Sequence, residues 1–302
     1  MKILFQILTL VFLCFSQVLT SYGQTSSDET KEATKNPNSE YHRVLSYKQM
    51  WLEILTCKDS IYGLKDVLIE EGENDQRDVQ EFFKKYKTVH PYVKLQSVTF
   101  IGKFNSSFKK RLPITISVSG LKFEHSFTLF NCEGIQFVKF KNTTFDGNVN
   151  LTLLTDVWSM EFDSCLFRSP PSLSLPQDED RWAVIRISNS SIILNSLEKK
   201  ESSFYIGFDQ DGRVRPTRMD FMFSDTIFYP KYASIWLHKN SHFSFNGSSI
   251  TSDTSANWFE LKGEMSSLNI TNSDFGVDLD LSNCEVHDKF NIRNHYCPIK
   301  QF

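Results

Sequence analysis

Val138-Lys139-Phe140-Lys141-Asn142-Thr143-Thr144-Phe145 reads as apolar, polar, apolar, polar, turn residue, small residue, any residue, apolar. Twenty-two residues on, Met160-Glu161-Phe162-Asp163-Ser164-Cys165-Leu166-Phe167 follows the same pattern with only the two phenylalanines in common. Alternation of apolar and polar residues is the period of a strand that buries one face. Asn or Ser two positions after the last apolar residue turns the chain, because these side chains tolerate left-handed backbone or bond their own main chain. The next residue is small because a bulky one would not fit inside a narrow tube, and the final Phe points back inside.

Working outward, the pattern recurs at Ile185–Ile192, Phe221–Phe228, Phe243–Ile250 and Leu268–Phe275, with looser copies at Val93–Phe100, Ile116–Phe123 and Phe290–Cys297. Taking the second apolar residue of each copy as a register mark gives positions 95, 118, 140, 162, 187, 223, 245, 270 and 292. The intervals are 22 to 25 residues, except for 36 between Ile187 and Phe223. A second ladder runs half a turn away: Leu129, Leu151 and Leu173 are 22 apart, as are Leu237, Phe259 and Leu281. Two interleaved ladders with one period predict an all-β solenoid, a right-handed parallel β-helix of about nine coils. Lys139, Glu161 and Arg186 fall between the strand apolars of successive coils, where alternating charges suit a parallel sheet with strands roughly 4.8 Å apart. A leucine-rich repeat would place its Asn three residues after the preceding apolar position and carry a helical half. Neither feature is present.

The rest of the chain divides around this body. Lys2, the apolar run Ile3–Val18 and the small-residue site before Gln24 read as a signal peptide over 1–23. Gln6, Thr9, Ser16 and Gln17 interrupt the run too often for a membrane span, and Leu13 stands where a lipoprotein signal before Cys14 needs a small residue. Residues 24–45 read as a disordered tether and 46–92 as a small helical cap. Within the cap, apolar spacing over 50–55 and over 78–89 is helical, with Asp75 or Asp78 as the expected cap of the second helix; 61–69 is ambiguous. The β-helix domain occupies 93–302, with insertions near 168–181 and 196–218. The export signal places the mature chain in the periplasm, outer envelope or extracellular space, with no transmembrane segment left after cleavage.

Of the cysteines beyond the signal, Cys57, Cys132, Cys165, Cys284 and Cys297, none has metal-ligand spacing. Cys284 and Cys297 could form one bridge; Cys165 fills a small slot between Thr143 and Ser190 on neighbouring coils. The net charge of −3 predicts no nucleic-acid partner.

The octet also resembles the pentapeptide-repeat proteins, in which a central Phe or Leu recurs every five residues with a small residue two before it. Phe140 and Phe145 with Thr143, Phe162 and Phe167 with Cys165, and Ile270 and Phe275 with Ser273 carry the resemblance. The five-residue period is not sustained around the coil, which is longer than four fives, so a square tube and a broader right-handed β-helix both remain open. The resemblance implies a fold and not an activity.

Binding is expected on the protrusions. Phe204–Phe208 followed by Asp209, Asp211, Gly212, Arg213 and Arg215 reads as a projecting hairpin with an Asp-Gly turn; the acid that would close a calcium loop is missing. Arg168–Arg181 is a second protrusion carrying Asp178 and Asp180. Lys141, Glu161 and Asp163 are close enough for a lyase or hydrolase but are equally a surface charge ladder. Trp158, Trp182, Trp236 and Trp258 could stack on sugars, although wall packing is the favoured reading. The sequons at Asn142, Asn189 and Asn246 are produced by the repeat's own turn. No catalytic, cofactor or metal site is expected. The predicted role is an exported, non-catalytic structural or binding module for an envelope protein or glycan, with a polysaccharide-acting lyase or hydrolase as the alternative. The last coil ends the sequence almost at once, so 298–302 forms a minimal lid, the end docks on a partner, end to end, or the chain is incomplete.

Overall fold

The computed structural model describes residues 43–102, 104–105, 110–169, 171–174, 183–193, 203–206, 219–224, 227–229, 232–237, 241–250, 258–276, 278–293 and 299–300. The chain winds into a right-handed parallel β-solenoid of about eight turns with a small helical region at its N-terminal end. Three strands per turn give three walls.

The long-strand wall stacks Ile114–Ser119, Ile135–Lys141, Ser159–Asp163, Ala183–Ser188, Met219–Ser224 and His242–Asn246, then the C-terminal halves of Trp258–Thr271 and Asp278–Arg293. Its register runs Val118, Phe140, Phe162, Ile187, Phe223, Phe245, Ile270, Ile292, matching seven intervals read from the sequence. Leu95 does not belong to it. The middle wall claims that residue, in the register Leu64, Leu95, Leu129, Leu151, Leu173, Ile206, Ile235, Leu261. A short-strand wall of two or three residues per coil closes the triangle, from Thr88–Val89 to Asp274–Phe275.

Phe259 pairs with Ala233 and Leu279, while Leu237 pairs with Gly263, so Leu237, Phe259 and Leu281 are not one rung despite their equal spacing. Partners lie 26 residues apart between Ala233 and Phe259 and 20 apart between Phe259 and Leu279, so an interval of 22 does not mark equal positions here. Ser203–Ile206 is not the arm of a projecting hairpin; it lies in the middle wall, parallel to Ser172–Ser174 and Tyr232–Leu237.

The turn after each long strand shows why its residue types recur. Gly120, Asn142, Ser164, Asn189, Gly247 and Asn272 all have positive φ, between 49° and 69°. Each donates its N–H to a carbonyl of the next coil, for example Asn142 to Asp163 at 2.9 Å and Asn189 to Ser224 at 3.0 Å. The small slot that follows needs more than small size. Ser190 Oγ donates to Ser188 O at 2.6 Å and accepts the buried Cys165 N–H of the preceding coil at 3.0 Å. Ser273 serves Thr271 O and the Ser248 N–H in the same way, at 2.8 and 3.3 Å. The hydroxyls thus satisfy backbone groups that water cannot reach. Inside, Phe123, Phe145 and Phe167 stack at 5.3 and 5.1 Å, and Phe140 stacks on Phe162 at 5.5 Å, all buried.

The cap closes the first coil. Helix α1 (Tyr47–Thr56) buries Tyr47, Met50, Trp51, Ile54 and Leu55, and the Ser46 hydroxyl accepts Gln49 N–H at its start. Helix α2 (Asp75–Lys85) begins after Asn74, earlier than the sequence pattern suggests, and ends before Thr88–Val89, which is already a strand. Asp75 instead ties the cap together, accepting N–H groups from Lys48 and Gly72. The ambiguous segment forms two strands, Ile61–Lys65 and Val67–Glu70, which join the sheets. Trp51 meets Phe83 edge to face at 5.0 Å and locks α1 to α2. Along α2, the side-chain amides of Gln76 and Gln80 donate to Thr115 O and Ser117 O, at 2.8 and 3.1 Å, on the first long strand. Four helical residues rise about 6 Å and two strand residues about 6.8 Å, so the helix can address alternate carbonyls of a sheet edge.

Candidate functional site on the long-strand wall

Parallel pairing lines up the outward residues of this wall in rows. Lys139, Glu161 and Arg186 share one row, and Lys141, Asp163 and Ser188 the next. Lys139 Nζ lies 3.4 Å from Glu161 and 5.3 Å from the Phe137 ring centroid; Lys141 Nζ lies 3.7 Å from Asp163. Arg186 points its guanidinium towards Met222 Sδ, at 4.0 Å. Hydrogen bonds from Asn189 Nδ2 at 2.9 Å and Ser164 Oγ, together with the Lys141 charge, hold the Asp163 carboxyl below its usual pKa. Asp163 is therefore a stabilised carboxylate, the opposite of what a general acid requires.

Farther along the wall, the row that begins with Lys139 continues through the uncharged Met222, Ser244, Asn269 and Asn291. Asn291 Nδ2 donates to Asn269 Oδ1 at 2.7 Å, and Asn269 Nδ2 reaches Ser244 Oγ at 3.5 Å. Thr271 Oγ1 donates to Asn246 Oδ1 at 3.0 Å, and His242 Nδ1 pairs with Ser267 Oγ at 2.7 Å. Each is a rung between neighbouring coils.

Trp158 stands where the chain enters the charged part of the wall. Trp158 is 63% exposed, the most open of the large apolar residues described. Its backbone is fixed: Trp158 N–H donates to Gln136 O at 2.8 Å and its carbonyl accepts Val184 N–H at 2.9 Å. The expectation of wall packing is wrong for this tryptophan. Strict alternation backwards from buried Met160 would turn it inward, but Trp158 lies at the corner before the strand starts, where alternation lapses. Trp236 is partly buried, with Lys262 Nζ 5.5 Å from its ring centroid. The side chains of Trp182 and Trp258 lie outside those described.

So do all the loop residues singled out as binding candidates, Asp178, Asp180, Asp209, Asp211, Arg213 and Arg215, and also Cys297. Burial pushes the thiols of Cys132 and Cys165 up to about 12 and that of Cys284 to about 11, which makes these three poor nucleophiles. Among the described residues no group of three or more His, Cys, Asp or Glu could hold a metal ion, and no helix is long and apolar enough to cross a membrane. No protein-family model, no curated protein and no solved structure matches the chain.

Proposed function

We propose that this chain is an exported, non-catalytic module of the cell envelope that binds a partner on the outer face of its long-strand wall. Exposure of Trp158, the most open of the described large apolar residues, is the observation that carries the reading. Its backbone is held by two neighbouring coils, so the ring is carried on a fixed point of the wall. The pentapeptide-like octets serve this role as scaffold, and the export signal read at 1–23 supplies the address. The polysaccharide-cleaving alternative finds less support, because Asp163 is held ionised and its Lys141 and Asn189 partners already use its oxygens.

The test uses the mature chain with wild-type and Trp158→Ala proteins side by side, in thermal-shift and retention assays against isolated envelope fractions. A rise in melting temperature or retention seen with wild type and lost with Trp158→Ala is the expected result. Equal retention of both proteins would remove the wall as the binding surface.

A further inference from the structure

We infer that the partner of the long-strand wall is a second copy of this chain, docked face to face about a twofold axis parallel to the strands, and this rests on the binding-module reading above. The outward charges of the wall are sorted by strand. Ile135–Lys141 presents Lys139 and Lys141, and the next strand, Ser159–Asp163, presents Glu161 and Asp163 at the same two register positions. Two positive groups therefore stand beside two negative ones, one strand spacing of roughly 4.8 Å away. A twofold axis midway between these strands, and parallel to them, keeps each position along the strand and exchanges the two strands. Lys139 of one copy then faces Glu161 of the other, and Lys141 faces Asp163. Both contacts occur twice.

The alternative twofold fails on charge. An axis across the strands brings each strand against itself, Lys139 against Lys141 and Glu161 against Asp163, and such like-charge contacts reject an orientation. In the favoured arrangement each charge keeps its neighbour within its own chain, at 3.4 Å for Lys139–Glu161 and 3.7 Å for Lys141–Asp163, and gains a second opposite charge across the interface. All four side chains are partly open to solvent, so they reach the interface without rearrangement of the wall. Size agrees with the same axis: half-buried Phe137 faces Ser159, which is small and 8% exposed. Trp158, which precedes Ser159, falls opposite Gln136 of the second copy, beside its Phe137. The flanking strands add no like-charge contact, because Val184, Arg186 and Ser188 face Thr115, Ser117 and Ser119. Four strands of this length cover on the order of 300 Å² per copy, against about 800 Å² in a standard interface. The dimer is therefore weak and reversible.

The experiment is sedimentation velocity of the mature chain over a concentration series reaching the millimolar range, with circular dichroism melts to check that each variant folds. Lys139→Glu with Lys141→Glu makes both facing strands negative, and Glu161→Lys with Asp163→Lys makes both positive. All four substitutions together exchange the signs of the strands, restore opposite charges across the axis and leave the net charge unchanged. A reversible monomer–dimer equilibrium in wild type, weakened about tenfold or more by either double variant and recovered by the fourfold variant, is the expected result. Wild type that stays monomeric throughout, or a dimer that is indifferent to the double variants or not recovered by the fourfold one, overturns the inference. If it is overturned while Trp158-dependent retention on envelope fractions persists, the second copy is the wrong partner and the binding module stands. If that retention is indifferent to Trp158 as well, both fall.

Discussion

Single atoms decide the turn of each coil. The slot after the turn reads in sequence as a demand for small size, and size alone would accept alanine. Ser190 shows the second demand: its Oγ is the partner of the buried Cys165 N–H. Ser190→Ala would leave that amide unsatisfied, a cost of roughly 1–3 kcal/mol in urea unfolding. Ser190→Thr should stay near wild type, because Thr143 fills the equivalent slot two coils earlier and makes the same bond to the carbonyl two residues back, Lys141 O, at 3.0 Å. If alanine and threonine proved equally mild, hydrogen bonding would not be what selects the slot. Asp163 makes a second prediction at this scale. Its carboxyl is held below the ordinary value, so its contribution is present above about pH 4, and is lost as pH falls through the lowered folded value. Melting temperatures of wild type and Asp163→Asn, followed from pH 7 to pH 2, should therefore converge in acid. A constant gap between the two curves would mean that this carboxylate does not titrate as its partners imply.

Elements were legible in proportion to how local their causes are. The long strands came out in register from Val118 to Ile292 because inward apolars and turn residues are set within eight residues. The middle wall was harder to read. Its strands follow corners of variable length, and Leu95, Phe259 and Ile206 take positions fixed by pairing across coils rather than by residue count. The candidate site was barely legible, since Trp158 is exposed by a corner that breaks the very alternation used to read the strands. Helix α2 is the other element whose job sequence alone does not reveal. Its amphipathic pattern predicts a buried face with Val79 and Phe83, and says nothing of Gln76 and Gln80 covering the carbonyls of a sheet edge. An uncovered edge is a template for other strands. Replacing both glutamines by alanine should cost about 1–3 kcal/mol in total, at 0.5–1.5 per hydrogen bond. It should also produce association that rises with concentration in sedimentation velocity. A double variant that stays monomeric at high concentration would show that the packing of α2, without its amides, suffices to guard the edge.

At the scale of the whole solenoid, stability is a sum of coil terms and neighbour terms, so position along the axis matters as much as residue type. Coils near the middle have stacked partners on both sides. Phe140 packs against Phe162 and Phe145 against both Phe123 and Phe167, and all are buried. The N-terminal coil is closed by α1, whose Trp51 and Tyr47 take the place of a preceding coil. The coil that contains 289–293 is less enclosed: Phe290 is 46% exposed, and Ile292 is only partly buried, whereas their register mates Leu268 and Ile270 are fully buried. Among the described residues, 289–293 pairs with one long strand, 267–271, whereas a central long strand such as Ser159–Asp163 pairs with two. Native-state amide exchange should therefore rank the long strands, slowest over Ile135–Lys141 and Ser159–Asp163 and fastest over 289–293. A core truncation distinguishes this gradient from simple solvent exposure. Phe162→Ala should lower global stability by about 3–5 kcal/mol, and accelerate exchange on both sides of its coil. Ile292→Ala should cost well under half of that, because its site is already partly open to water, and change exchange only in its own coil and the adjoining one. Uniform acceleration along the chain by Ile292→Ala would mean that the solenoid opens as a single cooperative unit and that the coil-by-coil description fails.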